Sequence, residues 1–368
     1  MYNEIIHSIF NDRSSSNINL LFFGIEPEKE DSIIEYLKKG YHKLSDNHQT
    51  NFISVVYNIS KYVIPKFSNK YSKHKYTQHQ MMGRYAHKLR LNLTYKETVD
   101  DFRSSSEKRK ILKLKTVPDA STLQRFFKKS KQKWFNQINE IILSFYNLKP
   151  EIIALDGTGF TSDQGDIYYR KRAKKKRISY TKNHISIETK YQLILYGQSI
   201  KGPKHDSPQA IPNLRAIQKY KPRYIVADKG YDSEKIRTYI NDEMKSLAMI
   251  PVKNNPKTGK YRLSTQAIFS QKIYGQRNLV ETVNSVEKRI FDGKNTSRST
   301  TLRNKETKVK NMLYNIYRTL IIIENAQKTN TKTKQKETDT TTQTKLKTNT
   351  TKNPIQEITN NKEQTTII

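Results

Sequence analysis

Cysteine is absent from the 368 residues, which excludes a disulfide framework and any zinc or iron–sulfur site built on thiolates. Histidine is scarce and scattered, with eight residues in all, so a metal site made of imidazoles alone is not expected either. Long apolar runs are missing: Leu20-Leu21-Phe22-Phe23 and Leu320-Ile321-Ile322-Ile323 fall far short of the roughly 18 residues that a membrane span needs. The N-terminal Met1-Tyr2-Asn3-Glu4 lacks a basic leader stretch, so no secretory signal is expected. Acidic residues are the minority, 34 Asp and Glu against 68 Lys and Arg, for a formal charge of +34. A chain so charged repels itself unless a polyanion neutralises it, and nucleic acid is the polyanion that composition favours. The expectation is a soluble, intracellular, basic protein without membrane association, long enough for two or three folding units.

Composition divides the chain into four stretches. Residues 1–46 are mixed and carry no interpretable motif, and residues 47–147 read as helical and basic. Residues 150–325 hold the β-type patterns and most of the Gly and Pro. From 326 to 368 the chain is rich in Thr, Lys, Asn and Gln and has no aromatic. Such a segment buries too little apolar surface to offset its ordering entropy, so a disordered tail is expected.

The helical stretch carries clear start signals. Thr77-x-x-Gln80 and Thr94-x-x-Glu97 have capping-box spacing, in which two orphan amides are satisfied reciprocally. Met82, Tyr85 and Leu89 follow the first at helical intervals, and Val99 and Phe102 follow the second. A third start lies at Pro118-Asp119-Ala120-Ser121, with Leu123, Phe126 and Phe127 on one face and Arg125, Lys128, Lys129 and Lys131 opposite. Short helices ending in a basic one suit a helix-turn-helix domain whose last helix enters the major groove. A plain helical bundle with a solvated basic face fits the same spacing. Trp134 sits among apolar residues and is expected in the core.

Residues 150–325 read as three strands in succession and then alternating helix and strand. The strands are placed at 151–155, 184–189, 192–200, 224–227 and 247–252, with helices near 212–219, 233–243 and 274–291. That order predicts an α/β fold with a mixed five-stranded sheet flanked by helices, as in ribonuclease-H-like nucleases. Asp156 and Asp228 each follow directly after a predicted strand, where a rigid sheet commonly displays catalytic groups. If the two strands are neighbours, both carboxylates reach one ion, and oxygen-only ligation suits Mg²⁺. Loop capping explains an Asp before a Gly equally well.

Tyr274, Arg277, Glu281 and Lys288 fall within an arc of about 60° on one continuous helix. An acid between two cations can be a surface ion-pair ladder. It can also be a third metal-binding carboxylate flanked by phosphate-holding cations. Glu287, about 240° further round the helix than Glu281, faces away.

The run Tyr274-x2-Arg277-x3-Glu281-x6-Lys288 resembles the Tyr-Arg-Glu-Lys signature of bacterial and archaeal insertion-sequence transposases with a DDE catalytic triad. Ala154-Leu155-Asp156-Gly157-Thr158-Gly159 and Ala227-Asp228-Lys229-Gly230-Tyr231-Asp232-Ser233 resemble the two Asp motifs of that family. The resemblance implies that Asp156, Asp228 and Glu281 are the metal-binding triad, with Tyr274, Arg277 and Lys288 on DNA. It also implies two Mg²⁺ ions, with Mn²⁺ as the substitute. The implied partners are the terminal inverted repeats of the element and target DNA, bound by a homodimer on paired ends. The implied location is the prokaryotic cytoplasm and nucleoid. The implied reaction is metal-assisted phosphoryl transfer, in which water cuts the element end and the freed 3′-OH joins target DNA.

The run Arg170-Lys171-Arg172-Ala173-Lys174-Lys175-Lys176-Arg177 lies between the first two predicted strands and is expected to contact phosphates. His205-Asp206 reads as a turn with Asp206 capping the next helix, and Asp232 as a helix N-cap. Asp163 and Asp166 fall in a loop and suit the triad poorly. Two other functions stay open: a non-catalytic DNA-binding protein derived from a transposase, and a ribonuclease-H-like nuclease that cuts without joining.

Overall fold

The computed structural model describes residues 48–162, 172, 180–202, 205, 207–253 and 258–350. Helices come first: α1 (His48–Val63), α2 (Gln78–Arg90), α3 (Tyr95–Ser104), α4 (Ser106–Ile111), α5 (Ala120–Lys129) and α6 (Gln132–Ser144). Both capping boxes form. The hydroxyls of Thr77 and Thr94 accept from the amides of Gln80 and Glu97, and the Thr amides donate back to those side chains at 2.8 and 2.7 Å. Asp119 caps α5 by accepting from the Ser121 amide at 2.8 Å. Met82, Tyr85, Leu89, Val99, Phe102, Leu123, Phe126, Phe127 and Trp134 are all buried. Arg125, Lys128 and Lys129 remain on the exposed side of α5.

The second half runs β1 (Ile152–Ser162), β2 (Thr181–Glu188), β3 (Leu193–Lys201), α7 (Ser207–Ile217), β4 (Tyr224–Ala227) and α8 (Glu234–Thr238), which a π turn (Tyr239–Glu243) extends. It continues with β5 (Leu247–Met249), α9 (Lys260–Ile268), α10 (Gln271–Tyr274), α11 (Asn278–Phe291), β6 (Lys294–Asn295) and α12 (Thr300–Thr350). The sheet order is β3-β2-β1-β4-β5. The first three strands are antiparallel neighbours, and β4 and β5 run parallel to β1. The β2–β3 hairpin closes tightly because the buried Glu188 carboxylate accepts from the Lys190 and Tyr191 amides, both at 2.6 Å. Parallel neighbours need crossovers, and α7 and α8 supply them.

Several expectations change. The sheet has six strands rather than five, because the two-residue β6 pairs with Thr161 and Ser162 at the far end of β1. β1 does not break at Asp156 but continues to Ser162, held by β2 through the pairs Gly157↔His184 to Phe160↔Thr181. α7 starts at Ser207, ahead of the Pro212 that lies inside it. The helix expected over 274–291 is interrupted by a 3₁₀ turn at Gly275–Arg277.

The largest difference is α12, a helix the sequence reading did not place. Its buried Val309, Met312, Leu313 and Ile316 recur at helical spacing, which is the signal that marks it. It carries on to Thr350, through part of the segment expected to be a disordered tail. No Gly or Pro occurs between Gly293 and Pro354 to stop it, and Lys, Gln and Glu are good helix formers. Residues 351–368 lie outside the described residues. The chain divides into two compact units at Thr319/Leu320. No helix among the described residues is long and apolar enough to cross a membrane.

Within the first unit, the opening turns of α12 join the helices to the sheet. Lys305 Nζ donates to the carbonyls of Phe127, Lys128 and Ser130 at 3.3, 3.1 and 2.6 Å, placing a cation at the negative end of α5. Asn315 clamps the backbone of Ile194 in β3, accepting from its amide and donating to its carbonyl, both at 2.8 Å. One helical turn earlier, Asn311 packs over Gly197, where a Cβ would collide with its side-chain amide.

Asp232 is not the helix cap expected; Ser233 holds that position. The fully buried Asp232 carboxylate accepts from Arg237 at 3.0 Å, from Arg262 at 2.9 Å and from the Lys253 amide at 2.8 Å. Burial alone would raise its pKa, but the Lys253 amide and the two guanidinium groups outweigh burial and hold it below the usual range. Removing one member of a buried pair strands the other charge. Asp232→Ala is therefore expected to destabilise the protein by about 3–5 kcal/mol in denaturant unfolding. A loss below about 1 kcal/mol, the range of exposed pairs, would contradict this network.

Candidate active site

The parallel pairing of β1 with β4 builds the site. Leu155 pairs with Ala227, so the next residues along the two strands are Asp156 and Asp228, on strands about 4.8 Å apart. There β4 ends and turns away, while β1 continues along β2. Asp156 thus sits where its strand loses a neighbour, at the carboxyl end of a parallel pair, a usual place for ligands in α/β sheets. Asp228 opens a 3₁₀ turn (Lys229–Tyr231) and accepts from the Gly230 amide at 2.7 Å. Gly230 is needed for that contact, because a Cβ would fall 2.8 Å from Asp228 Oδ1. The same turn sends Tyr231 into the interior, where its hydroxyl lies 3.3 Å from His184 Nδ1.

α11 supplies the rest, anchored through the buried Val280 and Val283. Asn284 Nδ2 donates to Asp156 Oδ2 at 2.9 Å. Its Oδ1 is buried and without a hydrogen-bond partner among the described residues. One turn earlier, Glu281 pairs with Arg277 at 2.7 Å, and its carboxylate side chain is 52% exposed. The Asp156 carboxyl is pushed up to about 6, first by burial and then by the like charges of Asp228 and Glu281. The Gly157 amide and Arg277 oppose the rise. Burial works to lower the Arg277 guanidinium, but Glu281, Tyr274 and Asp156 outweigh it and raise the group above its usual range. Burial lowers the Lys288 ammonium, while Glu287 and Asp156 pull it back. Lys288 Nζ lies 5.7 Å from the Phe160 ring centroid on β1.

Asp156, Glu281, Arg277 and Lys288 thus share one electrostatic environment, with Asp228 beside Asp156. Tyr274 borders it, half-buried, with its ring 5.9 Å from the Arg277 guanidinium. Oxygen-only donors suit a hard cation such as Mg²⁺, and a buried carboxylate beside two others is an electrostatic demand for one. Among the described residues, however, no group of three or more His, Asp or Glu side chains is gathered so as to hold an ion. The chemistry of the two strand carboxylates suits a hard cation, while Glu281 is engaged by Arg277. Glu287 is fully buried, its carboxyl pushed up to about 8 by burial against the opposing charges of Lys310 and Lys288.

Of the basic run after β1, only Arg172 is described, and it is exposed; Arg170, Lys171, Lys174, Lys175, Lys176 and Arg177 lie outside the described residues. Asp163, Asp166 and Asp206 lie outside them too, and His205 is exposed. Sequence reasoning missed Asn284. Its position three residues after Glu281 puts both side chains near one helical line, which is the signal that could have found it.

Residues 147–316 match the family model described as Transposase DDE domain, a segment that contains Asp156, Asp228, Tyr274, Arg277, Glu281 and Lys288. No curated protein matches the chain. Among solved structures, the cryo-EM structure of the piggyBac transposase synaptic complex with hairpin DNA is similar with a TM-score of 0.38 and 10% sequence identity, covering 76% of this chain and 77% of that one.

The raised Asp156 carboxyl has a consequence for stability. Its folded pKa lies above the unfolded one, so its contribution is complete below pH ~4 and is lost as pH rises through about 6. With divalent ions chelated, Asp156→Asn is expected to be more stable than the parent at pH 7 by on the order of 2 kcal/mol. The gap should close near pH 4 in urea unfolding. A gap independent of pH would contradict a carboxyl raised by burial and by its acidic neighbours.

Proposed function

We propose that the chain is a DDE transposase that binds the ends of a mobile element and carries out metal-dependent strand cleavage and strand transfer. The observation that carries this reading is the juxtaposition of Asp156 and Asp228 at the parted ends of β1 and β4, with Glu281 close enough to raise the Asp156 pKa. The match over 147–316 to the Transposase DDE domain supports it, as does the 3-2-1-4-5 strand order, which is that of a ribonuclease-H-like sheet.

Asp156, Asp228 and Glu281 would hold the metal. Two Mg²⁺ ions bound there would lower the pKa of the attacking water or hydroxyl and neutralise the charge developing on the leaving oxygen. The chain's own groups do the remaining work. Asn284 fixes the orientation of the Asp156 carboxylate through its 2.9 Å bond. Arg277 has a planar fork matched to phosphate and offers the DNA strand an anchor beside the carboxylates. Lys288 and Tyr274 line the same approach. A phosphate that drew Arg277 away would leave the Glu281 carboxylate without its partner, and Glu281 would then be able to serve with the two Asp residues in holding a cation. The exposed Arg125, Lys128 and Lys129 of α5 and the basic run 170–177 serve as phosphate contacts.

Asp156→Asn, Asp228→Asn and Glu281→Gln are each expected to abolish Mg²⁺-dependent cleavage of a labelled element end while leaving end binding within about tenfold, a change of 1.4 kcal/mol. Direct Mn²⁺ titration without DNA should be weakened by the two Asp substitutions and little affected by Glu281→Gln. Cleavage retained by any of the three variants would remove that residue from the triad. Joined products with plasmid target distinguish a transposase from a nuclease that only cuts.

A further inference from the structure

A second basic feature lies on elements that take no part in the carboxylate site. Ser106, Arg109, Lys110, Lys113, Leu114 and Lys115 line a surface groove of about 430 Å³ on α4 and the turn after it. Four of these side chains are cationic and none is acidic. No carboxylate among the described residues pairs with Arg109, Lys110, Lys113 or Lys115. The neighbouring Arg103 and Lys108, by contrast, are matched to Asp100 at 3.5 Å and Asp101 at 2.7 Å. At the end of α1, burial and the Lys113 charge together push the Lys61 ammonium below its usual range. The groove is therefore a concentration of positive charge that the protein does not neutralise itself.

The support beneath it is rigid. Leu112 and Leu114 are buried with Ile53, Tyr57 and Phe102 in one apolar cluster. The turn is locked by two bonds: the Lys113 amide to the Lys110 carbonyl at 3.0 Å, and the Leu114 amide to the Arg109 carbonyl at 2.8 Å. This is the paired bonding of a Schellman end, with Lys113 at φ 51° in the left-handed position where Gly is usual. Arg109 Nη1 donates to the carbonyls of Phe102, at 2.9 Å, and Arg103, which holds its guanidinium in place. The lining has no Asn, Gln or aromatic group, and its one guanidinium, the fork that most often reads guanine, is tied to the Phe102 and Arg103 carbonyls, which leaves three lysines as the cations free to meet a ligand. Cations with one hydroxyl are the chemistry of a phosphodiester backbone.

We propose that this groove binds the backbone of duplex DNA without regard to sequence, as a contact separate from the carboxylate site. The assignment rests on the reading of the chain as a DNA enzyme. It predicts that the groove sets part of the salt dependence of binding, each lost phosphate contact reducing the slope of log K against log[salt] by about 0.9.

The test uses the full chain with combined Lys110→Ala, Lys113→Gly and Lys115→Ala substitutions. Glycine suits the left-handed backbone at 113, so removing that charge leaves the turn intact, and an unchanged thermal midpoint verifies it. Fluorescence anisotropy over a salt series should show the slope reduced by about 2.7, equally for an element-end duplex and a scrambled one. Lys221→Gly, which removes a charge at another left-handed position (φ 46°) outside the groove, should leave the slope at the parent value. An unaltered slope in the triple variant, or an equal fall with Lys221→Gly, would overturn the proposal. A fall seen with duplex RNA but not with DNA would overturn it too. Failure of the parent to cleave DNA would count against the proposed function while a reduced slope still upheld the groove. Normal cleavage with an unaltered slope would overturn the groove alone.

Discussion

Two like charges held side by side are the constraint around which the centre of this protein is arranged. Parallel pairing of β1 and β4 brings Asp156 and Asp228 together, and α11 adds Glu281 to the same field. Nothing about folding favours that arrangement, since burial and mutual repulsion both disfavour carboxylates. The structure tolerates it through partial compensation: an Asn284 amide on Asp156, a Gly230 amide on Asp228 and an Arg277 guanidinium on Glu281. Each acid therefore has a partner, and none of these partners removes the excess negative charge that a cation would.

Other buried acids make the contrast clear. Glu188 is raised by burial, yet both its oxygens accept hairpin amides, so it serves the turn. Glu287 is raised further, but its neighbouring charges are the cations Lys310 and Lys288. Asp232 is surrounded by guanidinium groups and held below its normal range. Among these, Asp156 alone is raised in part by other carboxylates. In a chain with twice as many cations as acids, a buried carboxylate raised by other carboxylates is the kind of feature by which functional sites are commonly recognised.

Much of this was legible in the sequence where local chemistry decides the outcome. Thr77, Thr94 and Asp119 mark helix starts because capping is a property of a few adjacent residues. The five main strands follow from apolar runs and the helices between them, while their lateral order, with β1 beside β4, is a finding of the structure. Extents were less legible, because they depend on partners remote in sequence. Asp156-Gly157-Thr158-Gly159 reads as a loop, yet β2 pairs with it and β1 runs on. Asp232 reads as a cap because the arginines it meets lie 5 and 30 residues away. The stripe from Tyr274 to Lys288 assumed one helix, whereas a 3₁₀ turn at Gly275–Arg277 alters the phase of its first residue. Asn284 escaped notice because its place beside Glu281 on the helix is only a weak signal for an uncharged amide until its acceptor, Asp156, is known.

The central claim is that Asp156 and Asp228 together bind a divalent cation. Crystals soaked in Mn²⁺ and measured at the manganese absorption edge test it most directly. The account predicts an anomalous peak within coordination distance of both Asp156 and Asp228 carboxylates, lost in Asp156→Asn crystals under the same conditions. Anomalous density confined to other parts of the molecule, with the two carboxylates unliganded at saturating Mn²⁺, would contradict it.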